Sequence, residues 1–474
     1  MPPIVASVIF AIGILGLFYL DRDEDSRMSK ALWIPAVWLF LIGSRGVSLW
    51  LGMAPTMDTP EAYLEGSPID RAVWMVLLAA GFGVVVGRAK KVGPLLRRGA
   101  PIFLFFFYCA VSIAWSDFPL VAFKRWTKAV GDVAMVLVVL TEPEPLRALK
   151  WVVTRLGYLL IPLSVLFIRY YPDVGRRLTK SWTMESVGVT TQKNQLGLIC
   201  FVYGLGFLWY FRAAYRDRQD PNRGGRLLAF GTILAMIAWL LWSCDSKSGI
   251  CSLVMAGGVM FLLGRPSLAH KPAFVHLLVL ALLVVSVYAL FFDPTGSVVQ
   301  SLGRDPTLTG RRAIWDLVLS MHSNPWVGTG FESFWLGDRL KEVRDTMMGL
   351  ELNEAHNGFL EVYLNLGWIG VTLLALLLLS GYRKIIAKLR QDPDTGSLFL
   401  AYLLATVSSS LSQSGFRMMT TSWFFLLLAV FAASLAASGE DAWQTDAGQA
   451  DDSVDRPAAR WWAGRCEPTW GVDW

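Results

Sequence analysis

The sequence predicts an all-α protein, a polytopic bundle of transmembrane helices. Of its 474 residues, 54% are hydrophobic and only 17% are charged, and the mean hydropathy is +0.47. This balance is typical of a chain whose solvent is a lipid bilayer, and it excludes an ordinary soluble domain. Apolar runs long enough to cross a hydrocarbon core recur along the chain, and we count about thirteen of them.

The apolar runs define the expected spans, whose count is about twelve or thirteen. They cover residues 3–20, 31–52, 72–87, 100–117, 120–140, 149–168, 195–213, 227–244, 249–264, 274–292, 357–379, 397–414 and 420–437. Two spans are atypical and are either re-entrant or interfacial if they do not cross. One carries Lys124, Arg125, Lys128 and Asp132, and the other, 249–264, is short.

The basic connectors predict the orientation. Short loops rich in Lys and Arg are retained on the cytoplasmic side. Residues 88–98, 212–226 and 383–390 are the most basic connectors and fall on one side, whereas loop 53–70, which has no Lys or Arg, falls on the other. We therefore expect the N-terminus outside and the C-terminus in the cytoplasm.

Two outer segments break this charge bias. Residues 169–194 and 293–356 lie outside by the same count, yet both carry several Arg and Lys. Longer loops are exempt from the charge rule, which suits 293–356 but not the shorter segment, so we expect the latter to bind an anion. The expected organisation is an N-terminal transmembrane bundle at 1–292, a periplasmic catalytic loop at 293–356 carrying short amphipathic helices, C-terminal transmembrane helices at 357–437, and a poorly ordered cytoplasmic tail at 438–474.

The first candidate site lies where the large outer loop becomes a span. His356 and Asn357 precede that helix, and Gly367-Trp368-Ile369-Gly370 follows inside it. A helix entering from outside points its free N–H groups and positive dipole end outward, where they favour a phosphate. The dipole also favours a neutral His356, as a general base requires. The alternative is an interfacial histidine near two glycines that pack against other helices.

The second candidate site is an arginine pair in the outer loop. The segment LGRDPTLTGRRAIW at 302–315 is followed by NPWVGTG at 324–330 and by Phe334-Trp335. Residues 311–322 predict a short amphipathic helix on the membrane surface, with one apolar face formed by Ile314, Leu317, Val318 and Met321. Arg311 can hold a pyrophosphate through two parallel hydrogen bonds. Anchoring to anionic lipid headgroups is the alternative, and it suits Arg312 better.

The third candidate site is the start of the span that follows loop 169–194. Lys193 and Asn194 lie at a second helix N-terminus that faces outward, so Lys193 can add positive charge to the same anion site. A lysine that snorkels to the interface is the alternative. Arg177 in the preceding loop and Lys247 in Ser246-Lys247-Ser248 fall on the same side.

Taken together, these motifs resemble the O-antigen ligase and Wzy polymerase family, and within it the exopolysaccharide polymerases of the ExoQ type. The resemblance rests on QKNQLG at 192–197, SKS at 246–248, GRDPTLTGRRAIW at 303–315, NPWVGTGFESFW at 324–335, HNGFLEVYLNLGWIG at 356–370 and Trp115-Ser116-Asp117. It covers roughly residues 100–437. The second arginine, Arg312, departs from the family's glycine-arginine pair; we choose Arg311 as the phosphate ligand by its position.

The resemblance implies a GT-C-like glycosyltransferase of the bacterial inner membrane, without metal or cofactor, that uses an undecaprenyl-pyrophosphate-linked oligosaccharide on the periplasmic face. His356 and Arg311 are the implied catalytic residues. The implied substrate-binding residues are Lys193, Asn194, Arg177, Lys247, Arg312 and Asn357. The acceptor is another glycan, which makes a polymerase, or lipid A core or a protein, which makes a ligase; the ExoQ-like details favour a polymerase.

Two other functions fit parts of the sequence. A multi-pass transporter would explain intramembrane charges such as Arg45, Lys128, Asp132 and Glu361, but the chain has no evident two-fold repeat and its motifs gather at one face. A family member without catalysis could serve as a scaffold. Besides membrane lipids, expected partners are polysaccharide export or chain-length proteins. The net charge of +6 is spread over the connectors, so we expect no nucleic acid partner.

Overall fold

In the residues that the structure describes, long α-helices and one short β-hairpin build the protein, which confirms the predicted polytopic helical bundle. The structure, a computed structural model, describes residues 1–22, 28–53, 66–179, 182–291, 308–321, 323–347 and 352–436. The predicted tail at 438–474 and the first part of the predicted catalytic loop lie outside the described residues. The division of the chain at 292 and 356 stays a prediction.

The first half of the chain consists of helices that often begin with proline. Pro68, Pro119 and Pro145 each occupy a first helical position, where the missing N–H has no intrahelical partner to lose. The helices are α1 (Pro3–Leu20), α2 (Trp33–Ile42), α3 (Val47–Trp50), α4 (Pro68–Gly87), α5 (Ala89–Arg98), α6 (Ala100–Val111), α7 (Pro119–Leu140), α8 (Pro145–Tyr170) and α9 (Pro172–Gly175), with 3₁₀ turns at Lys30–Leu32 and Ser112–Trp115.

The second half begins with the hairpin. Strands β1 (Arg176–Leu178) and β2 (Met184–Ser186) pair antiparallel, with Arg177 opposite Glu185. The helices that follow are α10 (Lys193–Arg216), α11 (Arg223–Ser243), α12 (Lys247–Leu263), α13 (Pro266–Ala269), α14 (Pro272–Phe291), α15 (Leu308–Ser320), α16 (Gly337–Thr346), α17 (Gly358–Gln391), α18 (Pro393–Ser410) and α19 (Thr421–Ala436). The main packing partners are α12 with α18, α10 with α11, and α17 with α18.

Each predicted span overlaps a helix of the structure. Within the described ranges, six helices are long and apolar enough to cross a membrane: α1, α4, α8, α10, α11 and α17. The pair α5 and α6, bent by 86° around Gly99, would make a seventh. Segments of α2, α12, α14 and α19 are apolar but shorter, at 10–17 residues. The chain is therefore a multi-pass helical membrane protein, with α7 set apart by its charged side chains.

The predicted site segments meet at one end of the bundle. A Cβ placed on Gly197 of α10 would lie 2.1 Å from the Ser246 hydroxyl at the start of α12. A Cβ on Gly358 would lie 3.1 Å from Ser410 at the end of α18. Basic connectors form ion pairs at the other end, as between Arg88 and Glu142 at 2.6 Å. The structure thus separates the candidate site from the basic connectors, as the sequence predicts.

Two charged residues that suggested transport, the half-buried Arg45 and the buried Asp132, form hydrogen bonds within the bundle instead. The Arg45 guanidinium donates to the carbonyls of Val189 at 3.2 Å and Thr190 at 2.9 Å. The Asp132 carboxylate accepts from the Trp38 indole and from the backbone N–H of Met419, both at 2.8 Å. These hydrogen bonds satisfy the charges within the bundle, so neither residue argues for a transport path.

Candidate active site

Helix α17 is broken at Gly367, close to the candidate site. Gly367 has φ +64° and ψ −166°, a backbone conformation that glycine adopts readily and other residues do not. The break lets a loop insert: Gly330 N–H donates to the Asn365 carbonyl at 2.9 Å, and Trp368 N–H donates to the Pro325 carbonyl at 2.9 Å. The loop therefore satisfies backbone groups that an interrupted membrane helix would otherwise leave without partners.

The side chain of Asn365 and the segment at 115–117 hold the same loop. Asn365 Oδ1 accepts from the backbone N–H of Ser333 at 2.8 Å and of Phe334 at 3.1 Å. The Ser116 and Ser333 hydroxyls lie 2.6 Å apart, and the Trp115 indole donates to the Val327 carbonyl at 3.2 Å. The NPWVGTGFESFW motif is thus a structural element that joins α17 to the end of α6.

Glu361 and Asn357 stabilise the corner that carries His356, formed by residues 354–357 immediately before α17. The Glu361 carboxylate accepts from the Trp335 indole at 2.8 Å and also from the backbone N–H of Ala355. Asn357 is buried, and its Oδ1 caps α17 by accepting from Phe359 N–H at 3.0 Å and Leu360 N–H at 3.1 Å. This amide oxygen therefore caps the helix, a contact of about 1 kcal/mol. Of the side-chain polar groups of Asn357, the amide nitrogen is the one left to contact a substrate.

His356 faces a carboxylate. Its Nδ1 lies 2.8 Å from Oε1 of Glu354, and the other Glu354 oxygen lies 3.9 Å from Arg417 Nη1. Burial alone would raise the pKa of the Glu354 carboxyl, but the close contact with His356 and the charges of His356 and Arg417 lower that pKa to about 2. Glu354 is therefore ionised throughout the neutral range. Backbone strain accompanies this contact, because His356 has φ +52°.

Helix α15 carries Arg311 and docks directly beside His356. The Trp315 indole donates to the carbonyl of Ala355 at 2.8 Å, and Arg311 lies one helical turn before Trp315 on the same side of the helix. Arg311 is half-buried, whereas Arg312 is exposed. The structure thus brings the helix of Arg311 to the corner of His356, and the difference in exposure agrees with choosing Arg311 over Arg312.

The apolar face of α15 has a different partner from the one that the sequence suggests. Ile314, Val318 and Met321 are buried, as the amphipathic pattern predicts, but they pack on the protein. Their neighbours in this cluster are Phe334, Trp335, Leu340, Val343, Ala355 and Leu364. The expectation that this face rests on the membrane surface is wrong, because α16 and the first turns of α17 offer a closer apolar surface.

The remaining predicted cations lie at the starts of α10 and α12. Lys193 Nζ lies 2.7 Å from Glu185 on β2, and Arg177 is opposite Glu185 in the hairpin. Lys247 Nζ lies 3.1 Å from Asp245, while Asn194 is half-buried in the first turn of α10. Because Gly197 and Ser246 are in contact, these residues form a second group of charges whose lysines already have acidic partners.

The connector at 411–420, which the sequence analysis did not single out, joins the two groups. The Gln413 amide donates to the hydroxyl of Ser248, which follows Lys247, and Arg417 reaches Glu354. The sequence held a usable signal, since Arg417 lies in a short connector on the outer side by the same span count, which breaks the Lys/Arg bias. Glu354 and Arg417 are thus the site residues that the sequence analysis missed.

Space next to this corner is small. A cavity of about 40 Å³ lies beside Trp335, Asn353, Glu361, Phe416 and Arg417, which is enough for water but far below the roughly 300–1,000 Å³ of pockets that enclose small ligands. In the described part of the chain, no group of three or more His, Cys, Asp or Glu side chains could hold a metal ion. The site is an open, polar corner edged by aromatic side chains.

This arrangement defines a multi-pass membrane protein with His356 and the helix of Arg311 at one end of the bundle, and comparison with known proteins gives the class that it resembles. Residues 231–375 match the family model described as O-antigen ligase, which confirms the resemblance inferred from the motifs. The matched region includes Lys247, Arg311, Arg312, His356 and Asn357, whereas Arg177, Lys193 and Asn194 precede it.

A curated relative supports the same class over a longer stretch. The chain is similar to the exopolysaccharide production protein ExoQ of Rhizobium meliloti (strain 1021), with 26% identity over 313 residues, which cover 63% of this chain and 68% of the relative. The chain therefore resembles membrane proteins of the O-antigen ligase and polysaccharide polymerase type over part of its length.

Proposed function

We propose that the chain is a glycosyltransferase of the bacterial inner membrane that joins polysaccharide repeats carried on undecaprenyl pyrophosphate. The observation that carries this proposal is the hydrogen bond from Trp315 to the Ala355 carbonyl, at 2.8 Å. It fixes helix α15, which carries the permanently charged guanidinium of Arg311, next to His356. The imidazole of His356 is paired with the carboxylate of Glu354. A transferase that expels a pyrophosphate needs these two functions, a base and a fixed positive charge, side by side.

The proposed reaction is a displacement at the anomeric carbon of the donor. An acceptor hydroxyl gives its proton to His356 as its oxygen bonds to that carbon, and the bond to the pyrophosphate oxygen breaks with its electron pair on the leaving group. Arg311 stabilises this negative charge, usually the largest catalytic contribution in such a site. Arginine and lysine side chains supply the positive charge, so the proposed mechanism uses no metal or cofactor.

The second group of charges would bind the remainder of the donor. Lys193, Asn194, Arg177 and Lys247 lie around the starts of two adjoining helices, where free N–H groups favour phosphate. Because Lys193 and Lys247 contact Glu185 and Asp245, the donor would have to replace these surface ion pairs. Such pairs contribute only about 0–1 kcal/mol, so a pyrophosphate can compete for the lysines.

The proposed function has two forms, which differ in the acceptor of the glycan. A second lipid-linked repeat as acceptor makes the protein a polymerase, which the similarity to an exopolysaccharide production protein favours. Lipid A core or a protein as acceptor would make it a ligase. In either form we expect cooperation with polysaccharide export or chain-length proteins.

Deletion in the native host tests the proposed function. The polymerase form predicts loss of long surface polysaccharide together with accumulation of single repeats on the lipid carrier. Extracted carrier lipids and surface glycan are measured in the deletion strain and in the same strain complemented with the gene. Accumulation of long lipid-linked chains would identify the ligase form, and unchanged glycan with unchanged carrier lipids would overturn the proposal.

Cysteine labelling tests the proposed orientation. Lys341 is exposed on α16, at the site end, so Lys341→Cys should react with a membrane-impermeant thiol reagent in cells with a permeabilised outer membrane. The background carries Cys251→Ser and Cys466→Ser. A loop position such as Ser333 would be expected from the sequence to be exposed, but Ser333 is unsuitable because it is fully buried.

The matched control for this labelling is Arg390→Cys near the other end of α17, where the residue is exposed. It should react only after the inner membrane is broken. The reverse pattern at the two positions would contradict a periplasmic site.

A further inference from the structure

The contact between Glu354 and His356 determines which imidazole nitrogen is available for chemistry. Nδ1 lies 2.8 Å from a carboxylate oxygen of Glu354, which is ion-pair distance, although Nδ1 makes no hydrogen bond of standard geometry. An ionised carboxylate has no proton to donate, so the proton shared at this contact belongs to Nδ1. In a neutral imidazole the other nitrogen, Nε2, then carries the lone pair that can accept a proton.

We propose that Glu354 is a positioning residue that fixes the tautomer and direction of His356, and that Arg417 in turn holds Glu354. The inference rests on the proposed function, which makes His356 a base, and it assigns roles to two residues outside the motifs of the sequence analysis. Glu354 acts through His356 and does not itself touch the reacting atoms.

The backbone around His356 supports a positioning role. His356 has φ +52°, a conformation that costs free energy for residues other than glycine and persists only when the surroundings hold it. Hydrogen bonds on both sides of His356 hold this conformation. Asn357 caps α17, and Glu361 accepts from the N–H of Ala355. A histidine that only filled space at an interface would not need this set of constraints.

The side chain is restricted as well as the backbone. The side chains of His356 and Glu354 are only 23% and 15% exposed, so water competes weakly for their contact. Arg417, at 39% exposure, closes the other side of the carboxylate from the connector at 411–420. The ring of Phe416, next to it in sequence, packs edge-on against Phe359 at 4.9 Å between centroids, which anchors that connector to the first turn of α17.

Two further charges lie close to the pair. Arg417, from the 411–420 connector, approaches Glu354 to 3.9 Å, and Glu361, from the first turn of α17, interacts electrostatically with Glu354. When His356 takes the proton of the acceptor, the negative charge of Glu354 offsets the positive charge that forms. The resulting imidazolium and carboxylate form an ion pair until the proton leaves to solvent.

The test compares Glu354→Gln with the wild type in turnover of a labelled lipid-linked repeat extracted from the host. Glutamine keeps the shape of glutamate but removes its charge, and we expect turnover to fall about 10–100-fold, as for other carboxylates that orient a histidine. The donor KM should change little because the anion ligands remain. Glu354→Asp, which keeps the charge on a shorter side chain, should recover part of the turnover.

Recovery by Glu354→Asp separates positioning from a merely structural role, because aspartate restores the charge of glutamate but not its shape. Glu342→Gln is the matched control, since Glu342 is exposed on α16 and its substitution should not change turnover.

The outcomes distinguish this inference from the proposed function. If wild-type protein does not consume the lipid-linked repeat, the proposed function fails. If wild type is active and His356→Ala is not, while Glu354→Gln keeps its turnover, only the positioning role is overturned. A loss of rate that Glu354→Asp does not partly reverse, in protein of reduced abundance, would also overturn it by making Glu354 a packing residue.

Discussion

Replacement of His356 with alanine should reduce turnover about 10²–10⁴-fold, the usual contribution of general acid–base catalysis. Donor binding should survive, because Arg311 and the lysines near α10 and α12 remain. The substitution removes the imidazole but leaves the Asn357 cap and the contacts of Glu361, so the corner keeps its backbone supports. Turnover and binding of lipid-linked donor by purified protein measure the two effects separately.

A matched histidine far from the site provides the control. His276 contacts the Tyr382 hydroxyl at 2.6 Å, towards the other end of α17, and His276→Ala should retain wild-type turnover. Added EDTA tests the proposed metal-free mechanism in the same assay and should have no effect. Near-normal turnover by His356→Ala, in protein of normal abundance, would leave His356 as a packing residue at the helix entrance.

Substitution of Arg311 should produce the second large loss of transfer activity. Arg311→Lys keeps the charge but loses the planar, two-bonded contact with a pyrophosphate, so we expect a severe loss of transfer. Arg311→Ala should lose donor affinity as well as rate, unlike His356→Ala. Arg311 is half-buried on the helix that contacts Ala355, a position where a lost contact is not replaced by water.

Arg312 is the matched control on the same helix. It is exposed, and Arg312→Lys should be milder because a lysine can serve equally well at a lipid surface. Steady-state rates and donor affinities of the two lysine variants, measured side by side, check the difference. Equal tolerance at both positions would mean that neither arginine makes the two-bonded contact.

The helices were predictable because their signal is local. An apolar run such as 3–20 or 72–87 must form a helix to satisfy its backbone in lipid, whatever surrounds it, and the structure has helices at both positions. The meeting of the site segments at one end of the bundle also followed from counting spans. Even the charged segment at 120–140 is an uninterrupted helix.

The details of the site depended on contacts distant in sequence. Ser333 reads as an exposed loop serine, yet its hydroxyl lies 2.6 Å from that of Ser116. The apolar face of α15 fits a membrane surface and a protein surface equally well by pattern alone. Arg417 meets Glu354 across a gap of some sixty residues in the sequence, and only the folded chain brings such pairs together.

The break at Gly367 has a consequence for exchanging parts between relatives. A straight helix of 34 residues would be roughly 51 Å long, well beyond a hydrocarbon core of about 30 Å, so the first turns of α17 can belong to the site end of the bundle instead of to a membrane span. There they share backbone hydrogen bonds with residues 325–330. The loop and the first turns of α17 therefore form one structural unit. A chimera that takes the loop from a relative without residues 358–369 would combine two segments whose hydrogen-bonding groups did not evolve together.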